Sequence, residues 1–458
     1  MEMSLAQVAD NLNAEVVGAD ARFMRVSTDT RTLQPGDLFV ALVGEHFDGH
    51  DYVEAAHRKG AIAAMVSRRI ETDLPLLMVP DTRISLGAMA SFWRKQFTIP
   101  VAAVTGSNGK TTVKEMIAAI MRQKTAVLAT QGNLNNDIGV PLTLLRMQDE
   151  HGAAVIELGA NHIGEIQYLS GLTRPNVAVI TNAASAHLEG FGNLEGVARG
   201  KGEIFSGLDL HGVAVINADD DFAPYWLSLT EQYQRILFGL QLDADVTADW
   251  QPRENGTQML LHTPFGEAEL LLPLPGRHNV MNALAATAVS LAMGADPDHV
   301  VAGLSTLHTV KGRLQVVAGL PGMRILNDTY NANPTSLEVA LEVLQQTPGH
   351  RWLVLGDMGE LGAESAVVHG RCGMMARDYG VERLYALGEL SRNAVSAFGE
   401  GAYWFESAEQ LLQQIRKDWK GTGSILVKGS RVMRMERIVE GLLGSPNKNN
   451  SNGEHAGL

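Results

Sequence analysis

The segment Val101-Ala-Ala-Val-Thr-Gly-Ser-Asn-Gly-Lys110-Thr-Thr-Val-Lys-Glu-Met constrains the fold more than any other part of the chain. A run of valine and alanine ending at Thr105 reads as a buried strand. Gly106, Ser107, Asn108 and Gly109 form a small-residue turn, and Lys110 opens a helical pattern through Val113, Met116, Ile117 and Ile120. Strand, glycine-bounded turn and helix in that order make a phosphate cradle, because backbone N–H groups converge on the positive end of a helix. Lys110 can neutralise the outer phosphates, and the hydroxyl of Thr111, with Thr112 behind it, can take a place on Mg²⁺. Val104 stands where the commoner P-loop has its first glycine, so this is the shortened G-x-x-G-K-T form. A tight turn bearing a solvated lysine would not need the buried strand and helix on either side. A nucleoside triphosphate is the expected ligand.

A chain of 458 residues is too long for one core and should hold two to four domains. Its 45% hydrophobic and 19% charged content is that of a globular protein. The formal net charge of -14 argues against a duplex-binding surface, which needs a basic footprint. A single cysteine, Cys372, excludes an internal disulfide framework or a multi-cysteine zinc site and fits a reducing cytoplasm. The first residues lack the basic start and apolar core of a signal peptide, and no apolar run approaches a membrane span. The polar stretch 445–458 reads as a disordered tail.

Short strands and helices alternate along the chain, which predicts an α/β fold with parallel sheets covered by helices on both faces. Val40 to Val43 and Ala61 to Val66 read as strands, with a helix over Tyr52 to Lys59. Ile99-Pro100 breaks the pattern before the P-loop strand. Apolar runs at Ala153 to Leu158, Val177 to Thr181 and Val213 to Asn217 continue it, Val246 to Pro273 alternates like an antiparallel edge or insert, and Asn279 to Met293 is alanine-rich and helical. A second break is expected at Gly312 to Gly322, followed by strands near Met323, Trp352, Arg383 and Ser424. Three domains follow: 1–98, 99–314 and 315–444.

Glu157 ends a buried strand, at the carboxyl edge where open α/β sheets bind ligands. It could hold a cation beside Thr111 or cap the next helix. His187 and Lys201 mean little individually, since one histidine is usually structural and one lysine usually solvated. The run Leu353-Val-Leu-Gly-Asp-Met-Gly-Glu-Leu-Gly lacks dinucleotide-binding spacing.

The motifs gain meaning from their order. Thr105-Gly-Ser-Asn-Gly-Lys-Thr-Thr, Glu157-Leu-Gly-Ala-Asn, Ala186-His-Leu-Glu-Gly-Phe-Gly, Lys201-Gly-Glu-Ile-Phe, Gly276-Arg-His-Asn-Val-Met-Asn282 and Lys311-Gly-Arg313 form a series. That series resembles the Mur ligases, ATP-dependent amino-acid and peptide ligases of peptidoglycan precursor assembly. Within that family, Asn327-Asp-Thr-Tyr-Asn-Ala-Asn-Pro334, Gly356-Asp-Met-Gly-Glu-Leu-Gly362 and Val427-Lys-Gly-Ser-Arg431 are similar to the member that joins D-alanyl-D-alanine to UDP-N-acetylmuramoyl-tripeptide. The Asn-Pro-Arg and Tyr-Ala-His-His patterns of two other members are absent.

The resemblance implies roles position by position. Ser27, Asp29 and Arg31 would hold the uracil end of the UDP-sugar peptide in the first domain, with Phe47, Gly49 and His50 in the same pocket. Asn135, Asn136 and Asp137 would face substrate and metal. Gly106 to Thr112 would cradle ATP, Lys110 reaching the β- and γ-phosphates, and Thr111 with Glu157 would hold one Mg²⁺. His187 and Lys201, the lysine as a carbamate, would serve a second Mg²⁺. Asn282 would approach the adenine, Arg313 the phosphates, and Asp328 would complete the ATP site from a Rossmann-like C-terminal domain. Tyr330, Asn331 and Asn333 would meet D-alanyl-D-alanine. A cytoplasmic, monomeric ligase working through an acyl phosphate is the expectation, with no nucleic-acid or membrane partner. Two readings compete with it: a folylpolyglutamate synthase, which lacks the N-terminal UDP-binding segment, and a P-loop switch without ligase chemistry.

Overall fold

A computed structural model describes residues 2–184, 188–241, 243–253, 256–307 and 311–443. The expected tail at 445–458 and His187 lie outside them. The described residues form two compact units, one lying within 2–183, 190–273 and 277–307, the other chiefly of residues 311–443.

The first unit holds two α/β sheets. Its N-terminal sheet has five strands in the order Glu15–Val17, Leu76–Met78, Ala63–Val66, Asp37–Val40, Arg25–Ser27, parallel except at the first pair. The strand expected from Val40 to Val43 ends at Val40. The apolar run continues past it, but Leu42 turns to accept the Gly49 N–H at 2.8 Å.

The helix Thr82–Arg94 is fastened to the middle of the chain. The guanidinium of Arg94 is buried and donates to the carbonyls of Thr173 at 3.0 Å, Phe97 at 2.7 Å and Arg174 at 3.3 Å. Trp93 donates its indole N–H to Met147 O at 2.9 Å, and Arg83 forms a forked ion pair with Asp137.

The middle sheet is wholly parallel, in the order Gln234–Phe238, Val213–Asn217, Val177–Ile180, Val101–Thr105, Ala153–Glu157, Val127–Ala129. From Val101–Thr105 the chain builds one side of the sheet and then the other. The loop after that strand therefore sits at the topological switch point, where open sheets of this kind bind ligands. The helix Arg277–Ala292 is buried nearly all round, as its alanine content permits. The predicted insert is a three-stranded antiparallel sheet, Thr247–Arg253, Gly256–Thr263 and Gly266–Leu272.

The second unit carries a six-stranded sheet in the order Gln315–Ala318, Met323–Asp328, Gly423–Lys428, His350–Gly356, Arg383–Leu387, Ala402–Phe405. Separate apolar cores cover its two faces, one around Leu337, Leu341 and Leu355, the other around Trp352, Tyr385 and Ile415. The break expected at Gly312 to Gly322 carries an edge strand, Gln315–Ala318, antiparallel to Met323–Asp328. Its half-exposed Gln-Val-Val-Ala sequence, flanked by glycines, gave too short an alternation to be read as a strand.

Candidate active site

The glycine-rich turn joins Val101–Thr105 to the helix Lys110–Met121. Gly109 is the N-cap of that helix at φ +83°, and a Cβ there would stand 2.4 Å from Asn282 Oδ1. A larger residue would be strained by the backbone and blocked by Asn282 together. The same contact brings Asn282 against the loop.

The carboxyl end of Val177–Ile180 clasps the turn. Asn182 accepts the Ser107 N–H on its carbonyl at 3.0 Å and the Asn108 N–H on Oδ1 at 3.0 Å. Asn182 Nδ2, at 3.2 Å, and the Thr181 hydroxyl, at 2.6 Å, both donate to Asn108 O. Sequence alone has backbone N–H groups of this turn converge on a ligand, and those of Ser107 and Asn108 are held by the protein. Lys110 Nζ donates to Gly106 O at 2.6 Å and Ser107 O at 3.2 Å, lying back over its own loop.

Glu157 ends the neighbouring strand, in register with Val104, and is 2% exposed. Its Oε1 accepts from Asn135 Nδ2 at 2.8 Å, while Oε2 is buried with no hydrogen-bond partner among the described residues. An unsatisfied buried carboxylate oxygen is costly and requires an explanation, which a cation supplies. The helix-capping role open to Glu157 on sequence grounds is not what its side chain does here. In the neighbouring loop Asn136 Oδ1 accepts the Gly139 N–H at 2.9 Å, at the start of the helix Gly139–Leu144.

Lys201 is 1% exposed, on the helix Leu194–Gly202, with Nζ 5.1 Å from the centre of the Phe191 ring. Burial, reinforced by the like charge of Lys110, pulls its amine down to about 7 against the opposing pull of Glu165 and Glu203. Glu203 does not bridge to it. That carboxylate accepts the Gly164 N–H at 2.7 Å and the Gln167 N–H at 3.2 Å, at the start of the helix Glu165–Thr173.

The residues expected to meet the UDP end lie around the N-terminal sheet. Ser27 is buried at a strand end and donates its hydroxyl to Asp29 O at 3.0 Å. The exposed Arg31 donates to both Asp29 oxygens, and these bonds hold the Asp29 carboxyl below its usual range. Phe47 is exposed, and Gly49 is pressed so closely on Leu42 that a Cβ would meet Leu42 O at 2.5 Å. The His50 ring is committed to the fold. Its Nε2 accepts the Ser67 N–H at 2.9 Å, which leaves Nδ1 to donate to Asp48 Oδ1 at 2.5 Å. The His50 backbone N–H and ring together hold the Asp48 carboxyl down at about 2.

In the second unit Arg313 stacks its guanidinium 4.2 Å from the Tyr330 ring centre. Asp328 Oδ1 accepts the Leu314 N–H at 3.1 Å and Oδ2 pairs with Lys428. Asn331 O accepts a second bond from Lys428 at 3.0 Å. Asn333, expected to meet substrate, caps the helix Pro334–Gln345 in a reciprocal box with Ser336.

Three family models match the chain: the Mur ligase family catalytic domain over residues 22–125, the Mur ligase middle domain over 104–290, and the Mur ligase glutamate ligase domain over 312–431. The chain belongs to the Mur ligase family. A relative from Escherichia coli K12, UDP-N-acetylmuramoyl-tripeptide–D-alanyl-D-alanine ligase, is 46% identical over 96% of this chain and 98% of its own. The fold is similar to the crystal structure of MurF from Acinetobacter baumannii, with a TM-score of 0.92 and 36% identity over 96% of this chain and 99% of that one. It is also similar to the MurF ligase of Thermotoga maritima in complex with ADP, with a TM-score of 0.83 and 29% identity over 91% of this chain and 96% of that one.

In this Mur ligase the motif residues thus separate into three groups. The turn 106–112, Asn135, Glu157, Lys201 and Asn282 belong to the middle sheet and its helices. Ser27 to His50 belong to the N-terminal sheet, and Arg313 to Asn333 to the second unit. Two residues escaped the sequence reading, Asn182 and Lys428. Each is a polar residue at the end of a buried parallel strand, and that position was the available signal.

Proposed function

We propose that this chain joins D-alanyl-D-alanine to UDP-N-acetylmuramoyl-tripeptide at the expense of ATP, giving the pentapeptide precursor of peptidoglycan. The carrying observation is a nucleotide-type loop beside a buried carboxylate with one unsatisfied oxygen, in a chain 46% identical over nearly its full length to a ligase of that name. The coverage includes the N-terminal sheet, which the folate-ligase reading leaves without a role.

A carboxylate is a poor electrophile, so the terminal carboxylate of the tripeptide first takes the γ-phosphoryl group of ATP. The amine of D-alanyl-D-alanine then attacks the acyl phosphate, and the tetrahedral oxyanion collapses to amide and phosphate. Positioning and charge neutralisation dominate such a transfer. Lys110 lies over the loop that cradles the phosphates, Asn282 abuts that loop for the adenine side, and Arg313 supplies a second cation. Thr111 and Glu157 would hold one Mg²⁺, with His187 and a carbamylated Lys201 at a second. The metals supply neutralisation of the transferring phosphoryl group. Asp328 would complete the nucleotide site. Ser27, Asp29, Arg31, Phe47 and Gly49 would serve the UDP end, Asn135 to Asp137 the peptide side, and Tyr330 and Asn331 the dipeptide.

The lysine assignment draws support from chemistry. Carbon dioxide adds only to a neutral amine, and a buried amine of pKa about 7 is substantially neutral at physiological pH. The divisions 1–98, 99–314 and 315–444 would be the UDP-sugar, ATP and dipeptide domains. A cytoplasmic monomer fits a single cysteine and a full set of site residues on one chain. Among the described residues no helix is long and apolar enough to cross a membrane.

The test is phosphate release with UDP-N-acetylmuramoyl-tripeptide and D-alanyl-D-alanine, supplied singly and together, with product mass measured. One pentapeptide per phosphate, only with both substrates, is expected. Nucleotide binding without turnover would favour the switch reading, and turnover with folate and glutamate the folate-ligase reading.

A further inference from the structure

We infer that Lys428 is a positioning residue for nucleotide use, presetting Arg313 through Asp328 and Asn331; this rests on the proposed placement of Arg313 at the phosphates. Lys428 ends the strand Gly423–Lys428 in register with Asp328 on the adjacent parallel strand, and its side chain is 2% exposed. An ammonium so buried is costly unless its partners compensate it. Its partners are the Asp328 carboxylate, in an ion pair, and the Asn331 carbonyl at 3.0 Å.

Those two bonds lead to both sides of Arg313. Through Asp328 Oδ1 the ammonium is coupled to the Leu314 N–H, which donates at 3.1 Å. Leu314 is held at φ +49°, a left-handed conformation that is unfavourable for a non-glycine residue, so this bond has a strained backbone to hold. Through Asn331 O the ammonium fixes the segment that carries Tyr330, whose N–H donates to Gly312 O at 3.1 Å. The Tyr330 ring is the surface against which the Arg313 guanidinium lies, 4.2 Å from its centre. One buried charge thus anchors the backbone that carries Arg313 and the ring that orients it. Phosphoryl transfer rewards such preorganisation, because a displacement of about 1 Å in a positioning group costs about 10²-fold in rate.

Lys428 touches none of the reacting groups in this account, so its effect passes through the residues it holds: Asp328, itself placed at the nucleotide, and the Arg313–Tyr330 pair. The experiment is a double-mutant cycle on the full chain with K428M and R313A, reading kcat and the KM for ATP and for the tripeptide. K428M should raise the ATP KM and lower kcat/KM for ATP about 10²-fold, leave the tripeptide KM unchanged, and cost much less in the R313A background than in the wild type, the remainder being the share carried by Asp328. Multiplying losses, or equal loss toward both substrates, would make Lys428 a structural residue and overturn the inference. If R313A alone leaves kcat and the ATP KM unchanged, the placement of Arg313 fails instead. Should K428M not fold, K428R keeps the charge but cannot seat a guanidinium on the same two acceptors. A measurable loss for K428R that shrinks with R313A is expected, and wild-type ATP kinetics would refute the inference.

Discussion

Glu157→Gln should make the ligand-free protein more stable and the enzyme inactive. Glu157 Oε1 is satisfied by Asn135 at 2.8 Å, but Oε2 is buried with no hydrogen-bond partner among the described residues. A glutamine keeps an oxygen for the Asn135 bond and replaces the orphaned charged atom by a neutral amide. An unsatisfied buried group costs about 1–3 kcal/mol, and more when it is charged, so exchanging the charge for a neutral amide recovers part of that cost. The shift is roughly 2–4 °C per kcal/mol for a cooperative unit of 150–250 residues and less for a larger one, so the transition of the first unit should rise by a few degrees. Magnesium should reverse the comparison. A cation that binds only the folded carboxylate stabilises by mass action, so titrated Mg²⁺ with a non-hydrolysable ATP analogue should raise the wild-type transition more than that of the variant. The assay is thermal unfolding in chelator and across a Mg²⁺ series, with phosphate release in parallel. A variant that melts lower in chelator, or that keeps the full Mg²⁺ response, would refute the reasoning.

Lys110→Ala should lower turnover by several orders of magnitude with an unchanged melting profile, measured by phosphate release on the folded variant. Asn182→Ala removes the two side-chain bonds to Asn108. At about 1 kcal/mol each it should raise the ATP KM roughly tenfold or more, checked by steady-state kinetics. For Lys201, burial disfavours the ammonium, so the neutral amine should predominate above pH 7 and disappear below it. A carbamate signal in ¹³C NMR with labelled bicarbonate should therefore grow from pH 6 to pH 8, and Lys201→Ala should lose activity that acetate or formate partly restores. Arg94→Ala leaves three carbonyls without their donor, and should speed proteolytic cleavage near Ile99-Pro100 in timed digests.

Periodicity located most strands of the middle and C-terminal sheets, because strands buried on both faces are written as continuous apolar runs bounded by turn residues. Val213–Asn217 was read to the residue. Short or half-exposed edges were not legible: Gln315–Ala318 carries four residues of weak alternation and was taken for a break. The P-loop was legible because its glycines and lysine are fixed by chemistry. Its partner Asn182 was not, since a single asparagine after a strand has many ordinary uses and only the folded register sets it against Ser107 and Asn108. His50 shows the converse. The polar loop around it reads equally as a turn or a ligand contact, and the fold uses both ring nitrogens to tie Asp48 to Ser67. Lys428 sat unremarked in a quoted motif because its meaning depends on Asp328, 100 residues away in sequence and its neighbour across two strands.

The most direct measurement follows the oxygen atoms of the tripeptide's terminal carboxylate. With both oxygens ¹⁸O-labelled and D-alanyl-D-alanine and ATP present, an acyl-phosphate route places one label in the released phosphate and leaves the other in the new amide carbonyl. Mass spectrometry of phosphate, nucleotide and pentapeptide reads all three at once. Labelled phosphate with unlabelled ADP is the predicted result. Label in AMP, or phosphate free of label beside a formed amide, would contradict it.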